Sequence, residues 1–587
     1  MKKIIALLLT CIMVLGMFAA CGTPDTPETT APKGNDTPDT PDATNAPVQT
    51  VVIDTTVDHS LPYYQTLDGW HFTTWNNDGA NPYPEGMDPN NNPALEAFTL
   101  KTGATCEIIW AAAGEAYDEK RNAAIATGEL PDVFEVSLAQ YQMLVEADLI
   151  EDLTDVIDEW MSPELKQACE DGGAFDTITI GGRLYGVPNP FPAGDGTPMF
   201  WIRTDWLEKL QLEKPETLDD LAAIAKAFMA ADFDGNGIDD TYGIPFFDDF
   251  SSSYGGTGNF CAVMQQFGAN VGTWYINDDG KVVRGDVDED ALDALKYLNG
   301  WYKEGIIPQD FATWDGDTYA AAVANGMTGI QVGPWWDGYG WPGSALAMDE
   351  NARWEPFLLS LEEGEPVVVP AGGTVGSIWC VPKGAKHAKE MVILQNIEYA
   401  SSADCNTVEG FPDWTGAGLM AMHYPIRQGA SPTSMKAQGA VYYGTSTGIV
   451  TNEEECKAIA LENNLQPKQA GTLWTGAQEF AQMYNAENPA AEGMPWPYTS
   501  YISILGMVKF YTTDYELAVN VKEVAGEEWS TYGSGLGTMR TEAYVKMIMG
   551  ETDGLSLDDF WKNYVDTWYA SGGEEVTAEA QAYVDAK

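Results

Sequence analysis

Between Val51 and Pro190 the chain alternates short apolar runs with helix-like segments, and that rhythm limits the folds open to it. Residues 70–75, 106–111 and 132–136 read as strands, and residues 92–102, 117–127 and 138–147 as helices. Strands regularly separated by helices predict a mostly parallel sheet with both faces covered. Ligands of such sheets sit beyond the carboxyl ends of the strands. The residues just after each strand therefore matter: Trp75, Asn76 and Asn77; Ala112 to Glu115; and Glu135 to Ser137.

A second stretch, Met199 to Pro245, opens with a short aromatic strand and a helix, turns at Lys214-Pro215, and continues as an amphipathic helix. Leu221, Ile224, Ala225 and Phe228 fall on one face of that helix. It closes on Asp232, Asp234, Asn236 and Asp240, spaced like the oxygen ligands at positions 1, 3, 5 and 9 of a calcium loop, with Gly237 at the sharp turn. Ile238 would add its backbone carbonyl. The position of the closing bidentate glutamate is held by Gly243, so another carboxylate, Asp239 or one from elsewhere, must complete the site or leave it weak. A solvated acidic turn is the plainer alternative. Calcium here would be structural.

At 587 residues the chain can bury a large core and divide into domains. Its 88 acidic against 30 basic residues give a formal net charge of -58, which excludes nonspecific nucleic-acid binding. Lys2 and Lys3 precede an apolar run, Ile4 to Phe18, that is too short for a stable membrane span. Phe18-Ala19-Ala20-Cys21 resembles a bacterial lipobox, which implies a signal peptide over 1–20 and lipid attachment at Cys21. Residues 21–50, rich in Pro, Thr and Asp, read as an unfolded spacer above a membrane surface. The body cysteines Cys106, Cys169, Cys261, Cys380, Cys405 and Cys456 are widely separated, so buried free thiols are expected.

Further along, residues 183–188 (RLYGVP) lead towards the second stretch, and Arg203-Thr204-Asp205-Trp206 begins its first helix. Gly326-Met-Thr-Gly-Ile-Gln-Val-Gly-Pro-Trp-Trp336 runs through a strand into an aromatic loop. With Asp132-Val-Phe134 and the closing helices over 560–583, this ordered set resembles the extracellular solute-binding lipoproteins of sugar ABC importers, the family related to maltodextrin- and alginate-oligosaccharide-binding proteins. The resemblance implies a two-lobe α/β fold of the periplasmic-binding type, each lobe a mostly parallel sheet flanked by helices, with a ligand cleft between. Lobe 1 would hold 51–190 and a return segment at about 367–400, lobe 2 would hold 191–366, and a helix-rich part over 401–587 would pack on both. It also implies permease subunits of an ABC transporter as partners, a monomer, and a place on the outer face of the cytoplasmic membrane.

Twenty Trp residues are many for such a chain. Sugar rings present flat C–H faces that stack on indole, while their hydroxyls need polar partners, so Asn, Asp or Gln beside aromatics suits a glycan cleft. Trp75-Asn76, Glu135, Trp274, and the run Trp335-Trp336-Asp337-Gly338-Tyr339 are the expected ligand contacts. For a single Trp, core packing is the commoner role. None of His59, His71, His387 and His423 sits in a metal-binding spacing, and no nucleophile elbow is present. The expected function is reversible binding of a neutral oligosaccharide with hinge closure and no bond broken. The alternatives are a cell-surface glycoside hydrolase or lyase, or a binder of peptide or another polar solute on the same fold.

Overall fold

The computed structural model describes residues 51–585 except 53–56, 80–82, 84–85, 172, 191–193, 195, 232, 234–236, 239, 251–255, 278, 371–374, 401–406, 409–423, 427–431, 463–466 and 519–525. The signal segment, Cys21, the spacer, Cys405, Trp414 and His423 lie outside the described residues.

Local signals set the first elements. Strand β1 (His71–Asn77) is followed by helix α1 (Pro93–Thr102), whose cap residue Asn92 accepts the Leu95 N–H at 3.0 Å. Gly103, at φ +78°, ends that helix in the left-handed region. Strand β2 (Thr105–Ala112), helix α2 (Gly114–Thr127), strand β3 (Phe134–Val136) and helix α3 (Leu138–Glu146) follow. A reciprocal Ser137–Gln140 capping box starts α3. Strands β1 and β2 pair in parallel, with Asn76 opposite Ala111, and the Val133 N–H donates to the Thr73 carbonyl beside them.

The chain then changes bodies. Strand β4 (Val187–Pro190) still belongs to the first core through Val187, whereas strand β5 (Met199–Arg203) belongs to the second through Phe200 and Ile202. Helix α4 (Thr204–Leu210), helix α5 (Leu218–Met229) and helix α6 (Glu289–Lys303) build that second core. Strand β5 is flanked by β6 (Ile330–Gly333) and β7 (Trp354–Phe357). Strand β8 (Val367–Val369) remains in the second body, and β9 (Val375–Cys380) is back in the first, followed by helix α7 (Ala388–Ala400). Tyr424 and Ile426 pack in the first core, while Met435 lies in the second, so the chain passes between the bodies a third time.

The pairing departs from the expected mostly parallel sheets. Strand β9 runs antiparallel to both β3 and β4, and β5 is antiparallel to both β6 and β7. Strand β9 returns from the second body and is inserted between two strands that run the opposite way, whereas β5 meets β6 and β7 from within its own body. Strand β8 is held on one edge by a parallel pairing with β10 (Tyr515–Leu517) and by the Gln266 amide, which both donates to and accepts from the Val368 backbone at 2.8 and 3.1 Å.

The last helices close the second core. Helix α8 (Tyr498–Thr512) packs with Trp201, while α9 (Glu527–Met549) and α10 (Leu557–Trp568) bring Tyr544 and Tyr564 into the larger cluster. Their anchor is Asp286, whose carboxylate accepts from Arg284 Nε and the Gly272 N–H, both at 2.8 Å, and pairs with Arg540 at 3.4 Å. Its backbone carbonyl accepts both tyrosine hydroxyls at 2.9 Å. Burial pushes this carboxyl up, but the Arg284 and Arg540 guanidiniums and the hydrogen bonds more than offset it and hold it below its ordinary value. The five described cysteines are buried thiols outside any disulfide. Arg203 makes a two-point pair with Asp205 at 2.7 Å and reaches Asp349, a structural ion pair at the start of α4.

Asp286→Asn leaves two buried guanidiniums short of charge and is expected to lower stability by about 3–5 kcal/mol, read by urea unfolding at neutral pH. Because the folded carboxyl titrates below the unfolded one, wild type keeps this contribution above the usual carboxylate range and loses it as pH falls through the folded value. The difference between the two proteins should shrink in acid.

Candidate functional site

At the carboxyl ends of β1 and β2 the first body carries an aromatic cluster. Trp75 is buried at 1% exposure, stacks on Trp110 with centroids 5.2 Å apart at 27°, and meets Phe134 at 5.4 Å. The expected platform is therefore inverted: Trp75 lies beneath, and the half-buried Trp110 covers it. Asn76 is likewise buried, at 7%. Tyr117 of α2 lies 5.5 Å from Trp110 and donates its hydroxyl to Glu135 Oε1 at 2.9 Å. Burial and then the Glu135 carboxylate push the Tyr117 phenol far up, so it remains a donor. Trp110 was missed because alternation assigns it to the covered face of β2, along with Cys106 and Ile108. That burial alternation lapses over the last three residues of the strand.

In the second body, β6 ends in a short helical turn, Trp335–Tyr339, resting on α8. Pro334 and the Gly333 carbonyl, which accepts from Trp201 Nε1 at 3.1 Å, set where the turn leaves the sheet. Trp335 and Trp336 are half-buried and perpendicular, with centroids 5.5 Å apart, and Tyr339 is 48% exposed. The turn sits against α8 only because glycines allow it: a Cβ on Gly506 would come 3.1 Å from Trp335 Cα, and one on Gly338 would come 2.5 Å from Ser503 Oγ.

Asp337 turns inward instead of presenting its carboxylate beside the indoles. Thr257 Oγ1 donates to its Oδ2 at 2.7 Å, and that oxygen fills the space a side chain at Gly333 would take. No cation among the described residues pairs with it, and burial pushes its carboxyl up to about 7, with the Thr257 hydrogen bond pulling the other way.

Trp274 is a correction. It begins a three-residue strand of a hairpin and is 2% exposed, with Arg284 over its ring at 5.3 Å and Trp529 of α9 edge-on at 6.0 Å. It is a core residue, covered by a helix 255 positions away in sequence, and cannot contact a ligand. The calcium-loop residues Asp232, Asp234, Asn236 and Asp239 lie outside the described residues. Gly237 has φ +75°, the left-handed turn that the sixth loop position requires, and Ile238 is 62% exposed. A Cβ on Gly243 would fall 2.4 Å from the Ile306 carbonyl oxygen, so backbone packing leaves no room for a closing glutamate there. Among the described residues no group of three metal-ligating side chains forms. Two surface hollows, of about 370 Å³ by Pro489–Tyr498 and about 420 Å³ by Leu212–Ile224 with Glu363, include none of the expected contacts.

An inward carboxyl that stays protonated to near neutrality stabilises the fold at pH below the usual carboxylate range and loses that contribution as pH rises through about 7. Asp337→Asn keeps the acceptor for Thr257 without the charge. Its melting temperature is expected to match wild type at pH 5 and exceed it at pH 8, measured by calorimetric scanning across that range.

Comparison with known proteins gives relatives by sequence and by structure. The lipoprotein LipO of Bacillus subtilis is 31% identical over 495 residues, spanning 83% of this chain and 88% of the relative. The fructooligosaccharide ABC transporter substrate-binding protein FusA of Streptococcus pneumoniae is 30% identical over 250 residues, 40% of this chain and 45% of the relative. The structure of a FusA EF-hand mutant in complex with fructo-nystose superposes with a TM-score of 0.55 at 18% identity, covering 88% of this chain and 98% of that one. An HMO-binding, ABC-transporter-associated solute-binding protein of Bifidobacterium longum infantis gives 0.54 at 17%, covering 88% and 99%. The two-lobe solute-binding fold accounts for the two cores and the passages between them. The family model of the bacterial extracellular solute-binding proteins matches residues 94–416, more than half of the chain, and the protein belongs to that family.

Proposed function

We propose that this protein is the substrate-binding component of an ABC importer and takes a neutral oligosaccharide between its two bodies, closing on it by hinge motion and releasing it unchanged. The single observation that carries the reading is the Trp335–Trp336 turn, a pair of half-buried indoles at the carboxyl end of a β-strand, fixed in place by α8. Indole faces supply stacking area for the C–H surfaces of sugar rings. FusA, a fructooligosaccharide binder, and the HMO binder support a sugar as the ligand and transporter permease subunits as the partners. LipO supports lipid attachment, which Cys21 would provide, placing the body outside the cytoplasmic membrane.

Calorimetric titration of the lipid-free body with neutral di- to tetrasaccharides, kestose and nystose among them, is expected to give saturable heat with at least one sugar. Trp336→Ala should weaken that sugar's binding by about tenfold or more. A body that binds none of the panel, or that releases product from it, would favour a peptide binder or a glycan-cleaving enzyme respectively.

Calcium is the second part of the reading. Alternating Asp232, Asp234 and Asn236 before Gly237, with the Ile238 carbonyl and Asp240, suit a hard cation that takes oxygen ligands, and the EF-hand of FusA supports it. With position 12 closed to a side chain, the loop would bind weakly unless Asp239 or a distant carboxylate completes it. Added calcium is expected to raise the melting temperature of chelator-treated protein, and Asp234→Ala to abolish the rise. An equal response in the variant would remove the loop from consideration.

A further inference from the structure

Resting on the sugar-binding reading above, we propose that Trp110 is the stacking face of the first body and that Tyr117 positions Glu135 beside it as acceptor for a hydroxyl of the same sugar residue. Four observations meet here. Trp110 stands near the carboxyl end of β2, one residue before Ala111, which pairs with Asn76 of β1. One of its faces lies on the buried Trp75, which fixes the ring plane. The three residues that follow, Ala111 to Ala113, bring no side chain large enough to cover the ring. Among the described residues the exposed Lys120 ammonium lies over the ring, 5.6 Å from the centroid, on a flexible stem that a ligand can move aside.

The polar half of the contact is equally built. Tyr117 touches Trp110 and spends its hydroxyl on Glu135 Oε1, leaving Oε2 with no hydrogen bond among the described residues. Arg121 lies over the Tyr117 ring at 5.0 Å. A flat apolar face with an oriented carboxylate oxygen next to it suits a pyranose or furanose ring: C–H groups lie on the indole, and an equatorial hydroxyl donates to the carboxylate. An apolar ligand would leave that carboxylate oxygen unsatisfied.

The test uses the lipid-free body and whichever sugar of the neutral panel binds wild type. Trp110→Ala is expected to weaken that sugar about tenfold or more, while Trp110→Phe, which keeps a flat face on Trp75, retains most of the affinity. Glu135→Gln should weaken it with an unchanged ligand-free melting temperature, and quenching of tryptophan fluorescence by sugar should fall in Trp110→Phe. Wild-type affinity in Trp110→Ala overturns the assignment while leaving the function intact. A wild type that binds no panel sugar overturns the function itself and this assignment with it.

Discussion

The close approach of helix α8 to the turn after β6 is the contact on which the rest of the account depends. A five-residue turn carrying two indoles has no shape of its own, and its entropy of ordering must be offset by packing. Here Gly506 lets Trp335 reach the helix backbone, Gly338 lets the turn come down on Ser503, and Trp201 hydrogen-bonds the Gly333 carbonyl from the sheet beneath. The proposed ligand surface of the second body is thus made by a strand near residue 330 and a helix near residue 505, and neither could make it alone.

That dependence gives the C-terminal third of the chain its purpose. Helices α9 and α10 converge on Asp286, whose carboxylate is fixed by arginines from two parts of the chain and whose carbonyl receives two tyrosines. The arrangement is costly to desolvate and is stable only because every lone pair in use has a donor. It ties distant parts of the second body to one residue. Strand β8 leaves that body towards the first between β10 and the Gln266 amide.

Much of this was legible in the sequence. The strand and helix rhythm of residues 70–147, the amphipathic face of α5 and the strand before Trp335 follow from periodicity and capping, which are local properties. Strand direction was not, because it depends on which body a strand re-enters. The indoles divide in the same way. Trp335 and Trp336 stand where a strand end with Gly and Pro placed them. Trp274 looked like a loop residue because the helix that buries it lies 255 positions on. Trp75 was expected as the platform and Trp110 was not singled out, because stacking order between adjacent parallel strands is set by register and twist. Asp337 beside two indoles read as a ligand contact, but the missing side chain of Gly333 lets its carboxylate fold inward to Thr257.

The central claim, that two bodies shut on a sugar and reopen, is tested most directly by a distance across them. The described native thiols are buried, and burial pushes Cys106 up to about 12, so they should resist labelling. With Cys405 changed to serine, spin labels at exposed Glu119 of α2 and exposed Ser344 beyond the indole turn give one interlobe separation. Pulsed dipolar spectroscopy should record a broad, longer distance in the free protein and a shorter, narrower one when the bound sugar of the panel is added. An unchanged distribution at saturating sugar would contradict the account.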